Sequence, residues 1–196
     1  MEKTIKYNFF IPYKQTNGYF GNQLLYRLCK KYKKTTQWQQ VYAKVWIIGR
    51  TYAAPVERNK KGVNIEQFSK DFINFNKRNK FDKLLFNIKC EEDAMKVYKK
   101  FLDFIFKETG QYNRSFASKY LHFHRPKWFK IYDSYTKKAT NALSNIKSDL
   151  KGDVDKIYAD FYAKENDINN YIKKEYGEKL NNRDLDTLLF KIGQNL

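Results

Sequence analysis

The sequence contains few residues that interrupt a helix. Only three prolines and eight glycines occur in 196 residues, and these two residue types are the strongest breakers of regular structure. Apolar residues recur instead at helical spacing, as Phe20, Leu24 and Leu28 do near the start of the chain. The sequence therefore predicts an all-α, multi-helical fold.

Periodicity and capping residues together place the individual helices. An extended segment is expected only over 7–13, YNFFIPY, and Asn182 is expected to cap the last helix. The predicted helices cover about 19–33, 37–48, 65–76, 91–107, 114–123, 135–150, 154–176 and 183–192.

Cysteine and histidine are too scarce for a recognisable disulfide framework or metal site. Cys29 and Cys90 lie far apart and form no Cys-x-x-Cys pair, so both are interpreted as buried thiols. His122 and His124 are two residues apart, and on a helix such side chains point about 200° away from each other. Glycine-rich nucleotide-binding motifs are also missing. The sequence thus predicts no metal and no cofactor.

Long apolar runs are missing as well. A membrane-spanning helix needs about 20 consecutive apolar residues, and no run approaches that length. The start of the chain, MEKTIKYNFFIPYKQ, lacks the apolar core and the small-residue cleavage site of a signal peptide. We therefore expect a cytoplasmic protein with no membrane partner.

Acidic residues are outnumbered by basic ones. The chain has 21 Asp and Glu residues and 39 Lys and Arg residues, which gives a net charge of +18. A compact chain with this charge repels itself, and a polyanionic partner such as nucleic acid relieves the repulsion. The 16 Tyr and 16 Phe residues are interspersed with Lys, as in KIYADFYAKE, which fits base stacking beside a phosphate track. The same pattern also fits a protein without a nucleic-acid partner, in which the aromatic residues form the core of amphipathic helices and the lysines only keep the surface solvated.

One carboxylate in this basic chain follows an apolar run. The segment SFASKYLHFHRPKWFKIYDSYTKK (115–138) predicts a helix that is broken at Pro126. The run FKIY and then Asp133 follow, at the start of a polar helix. Asp is a favoured N-cap, because its side chain accepts hydrogen bonds from free helix amides. A fixed carboxylate can also stabilise positive charge in a transition state. Asp133 is therefore interpreted either as a cap alone or as a catalytic group.

The same segment resembles the core of the helix-hairpin-helix DNA glycosylases, the group that includes endonuclease III-like and adenine-excising enzymes. Ser115 and Ala117 correspond to the start of the family's helix after its hairpin. Phe129 and Ile131 correspond to the family's apolar run. Asp133, 18 residues after Ser115, corresponds to the catalytic Asp.

The resemblance is closest over about 109–139. It implies one glycosylase-like helical domain over 1–196, either as a single lobe or as two lobes with a cleft between them. The implied activity is hydrolysis of the N-glycosidic bond of a modified or mismatched base, with Asp133 as the catalytic carboxylate. Bifunctional relatives carry a lysine where this chain has Ser115, so the resemblance implies excision without a lyase step. Ser115 and Lys119, one helical turn later, are candidates for catalytic support.

The resemblance also implies a set of binding residues. The expected partner is double-stranded DNA, from which the target base is extruded. The residues expected to contact nucleic acid are Asn113, Arg114, Arg125, Lys127, Lys130, Lys137 and Lys138. The residues expected around the base are Trp128, Tyr132 and Tyr135.

Two departures from the family pattern leave alternatives open. The family's hairpin is rich in glycine, whereas TGQYN keeps only Gly110, and Lys130 replaces the proline of the apolar run. The missing glycines favour a non-catalytic DNA- or RNA-binding protein on the same scaffold, while Asp133 favours excision. A nuclease or toxin acting on RNA is a third alternative. DNA repair and defence against phage with modified DNA are equally compatible with the sequence.

Overall fold

The computed structural model describes residues 12–16 and 18–196. In this part of the chain the regular structure consists of nine α-helices and a short 3-10 helix over Tyr13–Gln15, without a strand. None of these helices is both long and apolar enough to cross a bilayer. The all-α, multi-helical prediction is therefore confirmed. The α-helices are α1 (Tyr19–Lys31), α2 (Trp38–Thr51), α3 (Ile65–Asn79), α4 (Phe81–Phe86), α5 (Glu91–Thr109), α6 (Arg114–His124), α7 (Ser134–Leu143), α8 (Lys156–Tyr176) and α9 (Asn182–Gln194).

Several local predictions differ from the structure. The six-residue helix α4 was not predicted, because it is too short to show a period. Lys80, in the left-handed conformation (φ 50°, ψ 40°), separates it from α3. The cap of α9 is Asn181, not Asn182, since the Asn181 side chain accepts hydrogen bonds from the amides of Arg183 and Asp184. Of the predicted extended segment, residues 7–11 lie outside the described residues, and Tyr13 begins the 3-10 helix.

The helix predicted to reach about 150 ends at Leu143, and Ser144 is extended (φ −145°, ψ 137°). The segment after α7 is bonded to side chains of α8. The Ser144 hydroxyl donates to Asp167 Oδ2 at 2.5 Å, and the Ser148 amide donates to Asp160 Oδ1 at 2.9 Å. The Ser144 and Ser148 hydroxyls also accept hydrogen bonds from the amides of Ile146 and Leu150, at 3.4 and 3.2 Å. Serine side chains that bond to nearby backbone amides compete with helical hydrogen bonds. These contacts account for the early end of α7.

The chain divides into two compact units. We call Phe20–Phe129 the central unit, which contains α2 to α6 and most of α1. The terminal unit contains Lys130–Leu196, with α7, α8 and α9, together with the described residues up to Tyr19. The segment that resembles the glycosylase core therefore contributes α6 to the central unit and Asp133 to the terminal unit.

The core of the central unit is built from aromatic rings. Phe72 of α3 is fully buried, and its ring centroid lies 5.1 Å from that of Phe101 and 5.6 Å from that of Tyr120. Phe68 and Phe116 are fully buried beside them. A buried aromatic ring removes roughly 150–250 Å² of surface from water. This aromatic core joins α3, α5 and α6 and so fixes the position of the turn between α5 and α6.

The core of the terminal unit is aliphatic. Ala139 of α7, Ile168 and Ile172 of α8, and Leu185 and Leu189 of α9 form one buried cluster. Their packing brings the three helices together and places the start of α7 against α8 and α9.

Helices α7 and α9 approach each other very closely at Gly193. A Cβ atom added there would lie 2.0 Å from the carbonyl oxygen of Tyr135. Real Cβ atoms do not approach an oxygen so closely, so the two backbones can meet here only because glycine has no side chain.

Candidate nucleic-acid interface and carboxylate site

The turn between α5 and α6 is short and well defined. Gly110 ends α5 in the left-handed conformation (φ 74°, ψ 11°), and its amide donates to the Phe106 carbonyl at 2.8 Å. This is the conformation that glycine adopts readily at helix C-termini. Asn113 caps α6, because its side-chain oxygen accepts a hydrogen bond from the Phe116 amide at 2.9 Å. Residues 110–113 therefore join two helices through a turn with a cap on each side.

A basic loop, residues 56–63, packs against this turn. The Lys60 amide donates to the Thr109 carbonyl at 3.0 Å, and Lys61 Nζ donates to the Lys107 carbonyl at 2.6 Å. A Cβ atom on Gly110 would lie 3.4 Å from both Lys60 Cβ and Lys61 Cγ. Hydrogen bonds and close packing thus hold the basic loop on the turn.

This packing gathers cations that are distant in sequence, and we call them the basic cluster: Arg58, Lys60, Lys61, Lys107 and Arg114. Arg114 is half-buried and the other four are exposed. Glu108 lies 3.8 Å from the ammonium group of Lys107 and offsets part of the charge. Several cations on one rigid turn can contact successive phosphates of a nucleic acid.

Sequence reasoning found only Arg114 of these five cations, together with the neighbouring Asn113. The run RNKK over 58–61 is a signal that could have indicated the others. Its position against α5 and α6 depends on tertiary packing, which periodicity does not reveal.

Ser115 and Lys119 are brought into contact on α6. Lys119 Nζ donates a hydrogen bond to Ser115 Oγ at 2.7 Å. The Lys119 side chain is buried, and its Nζ lies 5.5 Å from the centroid of the Tyr52 ring. A catalytic role for this pair stays a prediction.

Asp133 is the N-cap of α7. Its Oδ1 accepts a hydrogen bond from the Thr136 amide at 2.9 Å, and its own amide donates to Thr136 Oγ1 at 3.1 Å. This reciprocal pair is a capping box. The side chain is half-exposed, and no residue in the described part of the chain hydrogen-bonds its Oδ2. The cap therefore fixes the orientation of the carboxylate and leaves one oxygen to interact with something else.

The backbone just before Asp133 is held by hydrogen bonds to Tyr158 of α8. The Tyr158 hydroxyl accepts from the Lys130 amide at 2.9 Å and donates to the Lys130 carbonyl at 2.8 Å. Tyr158 is fully buried on α8. One side chain thus satisfies both backbone groups of Lys130 and anchors the segment that leads to the cap.

Lys130 differs from the surface phosphate contact predicted for it. Its side chain is 1 % exposed. Its ammonium group donates to Asn166 Oδ1 at 2.7 Å and to the Tyr162 carbonyl at 3.3 Å. Because the side chain is buried and bonded to α8, Lys130 does not offer its charge to solvent.

Glu165 of α8 is a buried carboxylate close to this lysine. Its Oε2 lies 3.6 Å from Lys130 Nζ, which is too long for a hydrogen bond, and among the described residues neither carboxyl oxygen has a hydrogen-bond partner. Burial raises the pKa of Glu165 to about 8, Lys130 opposes the rise, and the negative charges of Asp186 and Asp133 add to it. A proton on Glu165 therefore avoids a poorly solvated negative charge.

The other predicted binding residues lie at several places. Lys127 of the central unit and Lys137 and Lys138 of the terminal unit are exposed, so their side chains are accessible to a phosphate. Arg125 is half-buried and donates to the Phe86 carbonyl at 2.9 Å. Its guanidinium group therefore already holds the end of α4 in place.

The three aromatic residues predicted around the base already have packing partners. Lys127 Nζ lies 4.9 Å from the centroid of the Trp128 ring. Tyr132 packs edge-on against Phe161 of α8 at 5.0 Å, and Tyr135 packs edge-on against Phe190 of α9 at 5.1 Å. The contacts of Tyr132 and Tyr135 lie within the terminal unit and that of Trp128 within the central unit. The contact of these rings with a base stays a prediction.

Both histidines have hydrogen-bond partners in the central unit. His122 bonds to the Phe129 carbonyl through Nδ1 and to the Tyr26 hydroxyl through Nε2. His124 bonds to the Tyr120 carbonyl and, through Nε2, to Lys44 Nζ. Burial and the Lys44 charge lower the pKa of His124 to about 3. In the described part of the chain no three His, Cys, Asp or Glu side chains are placed to hold a metal ion.

The two cysteines differ from each other. Cys29 is buried, as predicted, and burial raises the pKa of its thiol to about 12. Cys90 is exposed, so the prediction of two buried thiols is wrong for it. Cys90 immediately precedes α5 as its N-cap residue, a position at the end of a helix rather than on its packed face.

The chain matches no protein-family model, no curated protein and no solved structure.

Proposed function

We propose that this protein binds nucleic acid through the basic cluster and excises a base from it. In this proposal the Asp133 carboxylate acts on the N-glycosidic bond, and no lyase step follows. The single observation that carries the proposal is the packing of the basic loop on the turn between α5 and α6, which gathers five cations in a chain of net charge +18. The resemblance to the helix-hairpin-helix DNA glycosylases supplies the class of reaction.

Phosphate binding fits the construction of the basic cluster. Three of its four exposed cations lie on the basic loop, and the fourth, Lys107, lies near the end of α5. The hydrogen bonds of Lys60 and Lys61 to α5 hold the loop in place. A preorganised set of charges loses less conformational entropy when it binds. The displacement of counterions from the phosphates then makes the affinity depend steeply on salt.

The carboxylate fits the chemistry of excision. Water adds to C1′ as the carbon–nitrogen bond breaks, and the base leaves with the bonding electron pair and takes up a proton. The sugar passes through an oxocarbenium-like state, which a fixed carboxylate stabilises. The cap holds Asp133 through Oδ1 and leaves Oδ2 for this charge. Lys119 donates a hydrogen bond to Ser115, and the serine at position 115, where bifunctional members of the resembled family carry a lysine, is the reason for proposing no lyase step.

A second function, nucleic-acid binding without catalysis, is favoured by one observation. The capping box already gives Asp133 a structural role. A carboxylate selected as a cap needs no substrate to explain its presence.

The test of excision uses duplexes that carry uracil, a mispaired adenine, or an alkylated or oxidised base. For at least one of these duplexes, we expect strand breaks that appear only after alkali. Asp133→Asn should slow their formation by about 100-fold or more and leave the affinity for the duplex unchanged. Asparagine also caps helices, so the variant should fold. The control is Asp155→Asn, because Asp155 caps α8 by accepting from the Tyr158 amide at 2.9 Å.

Equal excision by wild type and Asp133→Asn would contradict the assigned role. No break in any duplex, with tight and salt-sensitive binding, would assign the protein to the binding function alone.

The binding step has its own test. Affinity for a duplex should fall steeply between about 50 and 200 mM salt, and each lysine that contacts a phosphate adds about one to the salt slope. Lys60→Gln with Lys61→Gln should therefore reduce the slope by up to about two. The matched control is Lys173→Gln with Lys174→Gln, an adjacent pair of exposed lysines on α8 outside the basic cluster. A flat salt response of the wild type would count against any nucleic-acid partner.

A further inference from the structure

Two solvent-exposed aromatic rings are stacked on each other beside the basic cluster. Phe106, on the last turn of α5, and Tyr112, in the turn to α6, have ring centroids 4.2 Å apart and planes inclined by 12°. They are 42 % and 45 % exposed. We call this pair the Phe106–Tyr112 stack. Exposed aromatic surface is usually limited, so two parallel rings that stay exposed together suggest a partner.

The surroundings of the stack select the chemistry of that partner. The Arg114 guanidinium carbon lies 5.4 Å from the centroid of the Tyr112 ring. Lys107 is the residue after Phe106 in α5, and Lys61 donates to the Lys107 carbonyl. A flat aromatic surface next to cations is complementary to a planar base on a phosphate backbone.

The stack is also rigid. Gly110 and Asn113 cap the helices on either side of Tyr112. Thr109 Oγ1 bonds to the Ile105 carbonyl at 2.6 Å and approaches the Gln111 carbonyl at 3.1 Å. A preorganised surface loses little entropy when a ligand covers it.

We propose that the Phe106–Tyr112 stack binds an unpaired base, so that the basic cluster prefers single-stranded nucleic acid to an intact duplex. In an intact duplex the neighbouring bases cover both faces of each base, and only an unpaired or extruded base can extend the stack. The inference rests on the proposed nucleic-acid binding and specifies its substrate class.

The test compares a fluorescein-labelled oligothymidine with a blunt duplex that contains the same strand. Phe106→Leu with Tyr112→Leu keeps apolar side chains and removes both ring faces. We expect the affinity for oligothymidine to fall by roughly five- to 150-fold for each stacked base, while the duplex affinity and both salt slopes stay unchanged. Phe106→Tyr should restore most of the single-strand affinity relative to Phe106→Leu. The control is Trp46→Leu, which removes a 47 % exposed ring on α2 and should change neither affinity.

The outcomes separate this inference from the proposed function. If the double variant binds oligothymidine like wild type, or loses the duplex equally, the stack is not a base platform, yet salt-sensitive binding by the basic cluster stands. If wild type binds neither probe, the proposed function and this inference are both overturned. If single-strand affinity alone is lost and the tyrosine restores it, the inference is established.

Discussion

Replacement of Glu165 by glutamine is expected to make the stability of the protein less dependent on pH. Glutamine has nearly the same shape as glutamate and cannot ionise. In the wild type, Glu165 is fully buried, and its carboxyl oxygens have no hydrogen-bond partner in the part of the chain that the structure describes. Its only close counterion is Lys130, at 3.6 Å in the described structure. The substitution therefore removes one titration and leaves the packing almost unchanged.

The size of the effect follows from the shifted pKa. Burial raises the pKa of Glu165 from 4.5 to about 8. Between these two values the folded chain holds a proton that the unfolded chain has released, so the free energy of unfolding falls as pH rises. The contribution is fully present below about pH 4.5 and is lost as pH rises through about 8. Each pH unit corresponds to about 1.4 kcal/mol at full slope, and the slope halves at the pKa, so the change between pH 6.5 and 8 is roughly 1–2 kcal/mol.

The assay is urea unfolding followed by circular dichroism at several pH values from 6.5 to 8. The difference between wild type and Glu165→Gln isolates this carboxyl group, since His124, Lys44 and all other groups are common to both proteins. Carbon-13 spectra of glutamate-labelled protein should show one carboxyl signal that titrates near pH 8 in wild type and is missing in the variant.

The control is Glu92→Gln, which alters an exposed glutamate paired with Lys96 on α5. It should not change the pH dependence in this range. Wild-type and Glu165→Gln stabilities that run parallel from pH 6.5 to 8 would refute the reasoning. So would a Glu165 signal that titrates near its ordinary value of 4.5.

Two further predictions concern the terminal unit. Gly193→Ala should destabilise the protein by about 1–3 kcal/mol and lower Tm by several degrees, because the new Cβ would meet the Tyr135 carbonyl at 2.0 Å. Alanine normally stabilises a helix relative to glycine, so a raised Tm in calorimetry would contradict the close approach of α7 and α9. Tyr158→Phe should destabilise by about 2–4 kcal/mol, because it leaves the buried amide and carbonyl of Lys130 without their shared partner. Protection of the Lys130 amide from hydrogen exchange should fall with it, and unchanged protection would show that another group satisfies the amide.

Local structure was readable from the sequence where the signal itself is local. The scarcity of proline and glycine and the helical spacing of apolar residues predicted α-helices throughout, and the structure has them. The acidic start of α5 and the cap at Asn113 are decided by the nearest few residues. The boundary of α7 was not readable, because Ser144 and Ser148 bond to aspartates of α8 that lie at least twelve residues further along the chain.

In the candidate site, too, some residues could be identified from local sequence and others depend on tertiary contacts. Asp133 at a helix start, and Asn113 and Arg114 at the turn, could be identified from sequence. The contribution of Lys60 and Lys61 could not, because it depends on a loop that folds back onto α5. The interior position of Lys130 was also unreadable, since a lysine in an apolar run is buried only if interior partners such as Asn166 receive its hydrogen bonds.

By itself, the sequence determined the helical class, the strong positive charge and the approximate starts of most helices, since periodicity, composition and capping act over a few neighbouring residues. Only the tertiary structure decided which cations share one surface, which charges are buried and which aromatic rings stay exposed. These properties depend on contacts between segments far apart in the chain. Tertiary packing determines these contacts, and they cannot be inferred from any single segment of the sequence.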